Sequence, residues 1–136
     1  MENVIVAFDG SKHALRAIDE VKKLKKGFPN LEITVLEVID INKLKDQDLD
    51  FSKNFEERQK DRIDNLYKEL ASELKEFKGI VLSGDPATKI IEHIKDNNYD
   101  LLVIGSRGLN SLQEFLLGSV SHKVIKHISI PSLLVK

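Results

Sequence analysis

The chain has 136 residues, 41% of them apolar and 32% charged, with a formal charge of −1. That size suits one domain spanning 1–136 and leaves no room for a nucleotide domain plus a separate substrate domain. Interspersed Lys and Asp/Glu argue against a nucleic-acid or anionic-membrane partner, and the lack of cysteine excludes disulfides, thiolate catalysis and cysteine-ligated metal.

Met1 runs almost directly into an apolar strand, without a basic stretch and a long apolar stretch after it. The expectation is a cytoplasmic protein without a signal peptide. No apolar run approaches the roughly 20 residues that span a bilayer.

The first run, Val4-Ile5-Val6-Ala7-Phe8, is apolar without alternation, as in a strand buried on both faces. Ala14, Leu15, Ala17, Ile18, Val21 and Leu24 then repeat at helical spacing. Ser11 is placed to cap that helix, and Gly27 and Pro29 to stop it. Ile33–Ile39 reads as a second strand. The polar stretch Asp40–Asp61 begins as a long surface loop, solvated and mobile or serving as a lid or partner segment. A helix starts near Phe55 and places Ile63, Leu66, Tyr67, Leu70, Leu74 and Phe77 on one face.

Gly79–Leu82 is the third strand, and Ser83-Gly84-Asp85-Pro86 turns the chain. Asp85 suits a cap and Pro86 a first helical position, before Ile90, Ile91 and Ile94. Leu101–Ile104 is the fourth strand. A glycine-containing loop from Gly105 to Gly118 leads to a helix over Ser119–His127, which buries Val120, Val124, Ile125 and Ile128. Ser132–Val135 ends the series. The order βαβαβαβαβ predicts an α/β fold: one doubly wound, five-stranded parallel sheet with helices on both faces.

In such sheets a ligand sits beyond the carboxyl ends of the strands, where the strand order reverses. Two segments leave strand ends with suitable chemistry: Ala7-Phe8-Asp9-Gly10-Ser11, and Gly105-Ser106-Arg107-Gly108 with Gly118-Ser119-Val120-Ser121. Glycine allows positive φ and close approach, and a helix N-terminus attracts phosphate. Turns and caps use the same residues, so the glycines alone leave both readings open. Other chemistry is absent from the pattern. His13, His93, His122 and His127 are scattered, so no metal site is expected, and no Walker-type loop, dinucleotide fingerprint or nucleophile elbow occurs.

Gly105-x-x-Gly108, nine residues, then Gly118-Ser119 resembles the ATP-binding signature of the universal stress protein family. Val6–Ser11, Val38-Ile39-Asp40, Gly84-x-Pro86, Leu101–Gly108, Leu116–Ser121 and Ile130–Val135 are similar to the family's segments, so the resemblance covers all but the Asp40–Asp61 stretch. It implies sheet order 3-2-1-4-5, as in adenine nucleotide alpha hydrolase-like folds, with ATP over strands one and four. It implies Ala7, Phe8, Asp9 and Val38 on the adenosine side, and Ile104, Gly105, Arg107 and Gly108 along ribose and phosphates. Gly118, Ser119, Val120 and Ser121 would hold the phosphate tail. Mg2+ would arrive with the triphosphate. It also implies a homodimer through the last strand, whose exposed apolar edge invites pairing.

Three functions follow from that resemblance. The leading one is a regulatory binding module in stress response, whose nucleotide occupancy biases conformation or partner binding. The others are a slow ATPase or self-phosphorylating enzyme with Ser119 and Ser121 as local acceptors, and a dimerisation module with a vacant site. Gly118 is expected where the loop enters the helix, with glycine serving close phosphate approach and, if φ is positive, the backbone.

Overall fold

The computed structural model describes residues 1–43, 54–108 and 117–136. Its elements are β1 (Asn3–Ala7), α1 (Lys12–Gly27), β2 (Glu32–Asp40), a 3₁₀ turn (Ile41–Lys43), α2 (Phe55–Leu70), β3 (Lys78–Gly84), α3 (Pro86–Asp96), β4 (Leu101–Gly105), α4 (Ser119–His127) and β5 (Ser132–Val135). All four strand pairings are parallel, and the sheet order is β3-β2-β1-β4-β5. Both the expected architecture and the expected order are present.

Strand alternation divides the core in two. Val4, Val6 and Phe8 of the first segment, Val35 of β2 and Val103 of β4 pack with Ala14, Ala17, Ile18 and Val21 of α1 and Leu66 and Leu70 of α2. Ile5 and Ala7, with Leu36, Leu102 and Ile104, pack on the other face with Ile90, Ile91 and Ile94 of α3 and Val124 of α4. β1 and β4 are therefore buried on both sides, which explains their unbroken apolar runs.

Three helices start with a side-chain cap. Ser11 Oγ accepts from the Ala14 N–H at 3.1 Å, Asn54 Oδ1 from Glu57 at 2.8 Å, and Asp85 Oδ2 from Thr88 at 3.1 Å. Each satisfies one of the donors that a helix start leaves without an intrahelical partner. Pro86 follows Asp85 as the first helical residue.

The second helix ends earlier than its periodicity predicts. α2 stops at Leu70, yet Leu74 is buried and Phe77 stacks on Tyr67 with ring centroids 4.7 Å apart. Apolar spacing reports which residues reach the core, and a turn after the helix serves that end as well. Of the apolar residues expected to be buried by α4, Val124 is fully buried, while Val120, Ile125 and Ile128, just past the helix, are half-buried against the same cluster. The surface-loop expectation for the stretch after Asp40 falls on 44–53 and so lies outside the described residues, as does the loop interior 109–116.

The two sheet edges differ. On β3, the Gly79 N–H donates to Tyr67 Oη at 2.8 Å and the Val81 carbonyl accepts from Gln59 Nε2, so α2 covers backbone groups of that strand. On β5, Leu102 N–H donates to the Pro131 carbonyl and Ser106 N–H to the Val135 carbonyl. Alternation then turns the backbone of Ser132 and Leu134 away from β4, towards the open edge.

Candidate functional site

Between β1 and β4 the crossovers leave in opposite directions, so the segments beyond the paired strands part and open a crevice. A cavity of about 550 Å³ occupies it. Ala7, Phe8, Asp9, Val38, Ile104, Gly105, Arg107, Gly108, Gly118, Ser119, Val120 and Ser121 all lie on its wall, so the residues singled out from the sequence are brought together.

Each part of the wall has a local cause. Phe8 is buried and its N–H donates to the Leu36 carbonyl at 2.9 Å, so its ring fills the core beneath the cavity. Asp9 follows at the surface and accepts from the Ser11 N–H at 2.9 Å, which holds the turn into α1. Gly105 ends β4 under the first turn of α1. A Cβ there would stand 2.8 Å from His13 Cβ and 2.9 Å from its carbonyl carbon, so glycine is required by helix–strand packing. Gly108 is different. A Cβ there would stand 2.6 Å from Asp9 Oδ2, so glycine lets the loop after β4 approach the carboxylate at the end of β1.

The far side of the loop is clamped. The Ser106 carbonyl accepts from the Gly118 N–H at 2.7 Å and from Ser121 Oγ at 2.9 Å, and Ser121 Oγ also lies 3.1 Å from the Gly118 carbonyl. Two expectations are corrected here. Ser121 is buried and its single hydroxyl proton is committed to backbone carbonyls, so that hydroxyl is a loop fastener and not a phosphate donor or acceptor for phosphorylation. Gly118 has φ −69°, open to any residue, and a Cβ would meet Arg107 Cα at an ordinary 3.4 Å. Backbone strain therefore does not explain this glycine.

Gly118 is the cap residue of α4 and makes no side-chain cap bond to the first turn, unlike the cap residues of α1, α2 and α3. The amides of that turn lack intrahelical partners and carry the positive end of the helix dipole. Gly118, Ser119, Val120 and Ser121 all stand on the cavity wall. A side-chain cap would compete for these donors.

Sequence reasoning missed the opposite wall. Pro86 and Ile90 of α3 add apolar surface, and Glu37, Ile39 and Asp40 of β2, Lys43 and Arg62 add a mixed polar rim. Lys43 Nζ lies 3.7 Å from Asp40 Oδ2, and Arg62 Nη2 donates to Glu37 Oε1 at 2.6 Å. Glu37 interrupts an otherwise apolar series, Val35 and Ile39 flanking it on the α1/α2 face of β2. That lone charge within a strand was the available signal. Burial pushes the Glu37 carboxyl above the usual carboxylate range, Arg62 pulls it back, and the like charges of Glu69 and Asp9 add to the upward push.

The family model for the universal stress protein family matches residues 1–136. The chain belongs to the universal stress protein family. It is 32% identical to the universal stress protein YxiE of Bacillus subtilis over 145 residues, covering 98% of this chain and 97% of that one. The solved structure of MJ0577 from Methanocaldococcus jannaschii matches with a TM-score of 0.77 and 31% identity, covering 99% of this chain and 95% of that chain. An Arabidopsis thaliana family protein solved with AMP bound shares the fold, with a TM-score of 0.66 and 22% identity over 100% of this chain and 92% of that one.

Two outcomes follow from the wall. Gly105→Ala meets backbone and should cost about 1–3 kcal/mol in urea denaturation, the range for overpacking. Among the described residues Gly108→Ala meets a side-chain carboxylate that can turn aside, and should cost about 1 kcal/mol or less; equal costs would contradict the different roles. Glu37 binds its proton more tightly in the fold than in the unfolded chain, so protonation favours the fold. Glu37→Gln should therefore match or exceed the native chain's stability at neutral pH, with its advantage shrinking as pH falls through the raised carboxyl pKa. An advantage that grows on acidification would contradict the sign.

Proposed function

We propose that this chain is an adenine-nucleotide-binding module of stress response that takes ATP with Mg2+, its occupancy biasing conformation or partner binding. The carrying observation is the start of α4: a helix N-terminus without a side-chain cap, opening on a cavity at the switch point of a parallel sheet. The cavity volume lies within the roughly 300–1,000 Å³ of small-molecule sites. Its chemistry is graded in the way a nucleotide requires. Val38, Pro86 and Ile90 offer apolar surface to a base, Asp9 an acceptor for a ribose hydroxyl, and the α4 amides donors to phosphate. Arg107 on the same wall adds positive charge near the phosphate end. Bound AMP in the Arabidopsis relative supports the adenine part of this reading. Mg2+ would be held through the triphosphate, whose charge it offsets.

The binding role is favoured over catalysis because the hydroxyl of Ser121, one of the two local acceptors, is already bonded to the Ser106 carbonyl. Regulation in the cytoplasm is part of the proposal. Among the described residues no helix is long and apolar enough to cross a membrane.

Ser119 is the first residue of α4, where proline is tolerated, and Gly118 before it has ψ 159°, the extended conformation that a residue preceding proline prefers. Ser119→Pro thus removes one N–H while keeping the helix. A lost bond to a charged group should weaken Mg-ATP at least about tenfold in calorimetric titration. Ser119→Ala, which keeps the N–H, should lose much less. Failure of the native chain to bind millimolar Mg-ATP would sink the proposal, and equal affinities for native and Ser119→Pro chains would displace the phosphates from α4.

The same proposal includes a homodimer through β5. Leu133 and Leu134 are 37% and 38% exposed, and the strand's outer backbone faces away from the sheet. Antiparallel pairing about a two-fold axis would close both edges together. Sedimentation should show a dimer at micromolar concentration and a shift to monomer in Leu133→Lys/Leu134→Lys. A native chain that stays monomeric at high micromolar concentration contradicts the assembly.

A further inference from the structure

The first half of α2 is held differently from the second. Leu66 and Leu70 bury the second half in the core. At the N-terminal end, Phe55 is 62% exposed and residues 54–57 face solvent. What ties this half to the sheet includes two polar contacts, Gln59 to the Val81 carbonyl and Arg62 to Glu37. The second contact lies on the cavity wall, because both Arg62 and Glu37 line it.

We propose that the Arg62–Glu37 ion pair is a latch that positions the N-terminal half of α2 as one wall of the nucleotide cavity and so sets how long the ligand stays bound. The inference rests on the nucleotide reading above. Glu37 projects from β2 at a position where its neighbours on that face are apolar, and its side chain is only 12% exposed. A carboxylate there is expensive to keep dry, and replacing such a pair by neutral groups is often harmless to stability. Its return is geometric. A guanidinium reaching from a helix to a mostly covered carboxylate sets the distance between that helix and the strand. Two further acids face Glu37 at this spot, Glu69 on α2 and Asp9 just beyond β1, and Arg62 is the cation bonded to it. Helix segments anchored by few apolar contacts open at low free energy. Among the described residues, polar contacts tie this wall to the sheet, so it can yield to let a ligand leave while the core stays closed. Arg62 and Glu37 are positioning residues in this account.

A simpler electrostatic role makes the opposite forecast for one variant. If the pair only set the field at the cavity, Arg62→Met would weaken an anionic nucleotide and Glu37→Gln, by removing a negative charge, would tighten it. A latch is loosened from either side, so both variants should release Mg-ATP faster. Arg62→Met, which loses the whole contact, should raise the dissociation rate about tenfold, the equivalent of about 1.4 kcal/mol. Glu37→Gln keeps an acceptor for the guanidinium and should raise it about two- to threefold, the equivalent of roughly a third to a half of that energy. Arg62→Lys should recover part of the loss. Lys68→Ala, an exposed change on the same helix, should release ligand at the native rate.

The test is stopped-flow release of Mg-ATP from the full chain, with amide hydrogen exchange of the same proteins in the absence of nucleotide. The latch predicts faster exchange over residues 55–62 in Arg62→Met, with the Leu66–Leu70 turn unchanged. Tighter binding by Glu37→Gln, or native release by Arg62→Met, overturns it. Should the native chain bind no nucleotide at all, the functional proposal fails separately. Hydrogen exchange then decides the latch alone: unchanged exchange over residues 55–62 refutes it as well.

Discussion

The site depends on β1 being hydrogen-bonded on both sides, to β2 and to β4, by crossovers that depart in opposite directions. That single topological constraint parts the chain segments beyond Ala7 and Gly105. Without it, a loop from one side would cover the strand ends. With it, α1 begins on one side of the gap and α4 on the other. The core has to be dry and rigid for this to hold, and the β1 and β4 side chains meet that need by being buried on both faces. Hydrophobic burial thus positions a cavity of mixed lining, in which core residues such as Ile90 and Ile104 form the apolar floor.

Around the gap, backbone economy assigns the tasks. Ser11, Asn54 and Asp85 spend side-chain oxygens on helix starts that need only to be stable. α4 forgoes that stabilisation, worth about 1 kcal/mol for a typical cap. The Ser106 carbonyl, bonded by Gly118 and Ser121, holds the loop base together in its place, and the Ser106 N–H ties that base to β5. The α4 end of the cavity and the edge strand of the sheet are therefore two bonds apart. The opposite end is different. It is bounded by β2 and α2, where an ion pair replaces apolar packing, so the two ends of the cavity are held by unlike forces.

Much of this was legible in the residues. The unbroken apolar runs of β1 and β4 announced strands buried on both faces, Asp85-Pro86 announced a helix start, and Ser132–Val135 had its bounds right. Glycine spacing identified the loop and α4, because glycines, caps and helix starts are local features. What failed was non-local. The end of α2 at Leu70 was hidden because Leu74 and Phe77 continue to reach the core from a turn. The reason for Gly105 lies in His13, and that for Gly108 in Asp9, both far away in the chain. The hydroxyl of Ser121 looked available until its partners on Ser106 and Gly118 were visible. Arg62 and Glu37 meet only because α2 folds over β2, and no spacing rule links a helix surface charge with a strand interior.

The most direct measurement is a backbone amide NMR titration of the full chain with Mg-ATP. The account predicts saturable shifts at Gly108, Ser119, Val120 and Ser121, with smaller ones at Val38 and Asp9. Gly79 and Val81, on the edge of the sheet covered by α2, should not move. Shifts confined to other surfaces, or none at millimolar nucleotide, would contradict the assignment of the phosphate site to the start of α4.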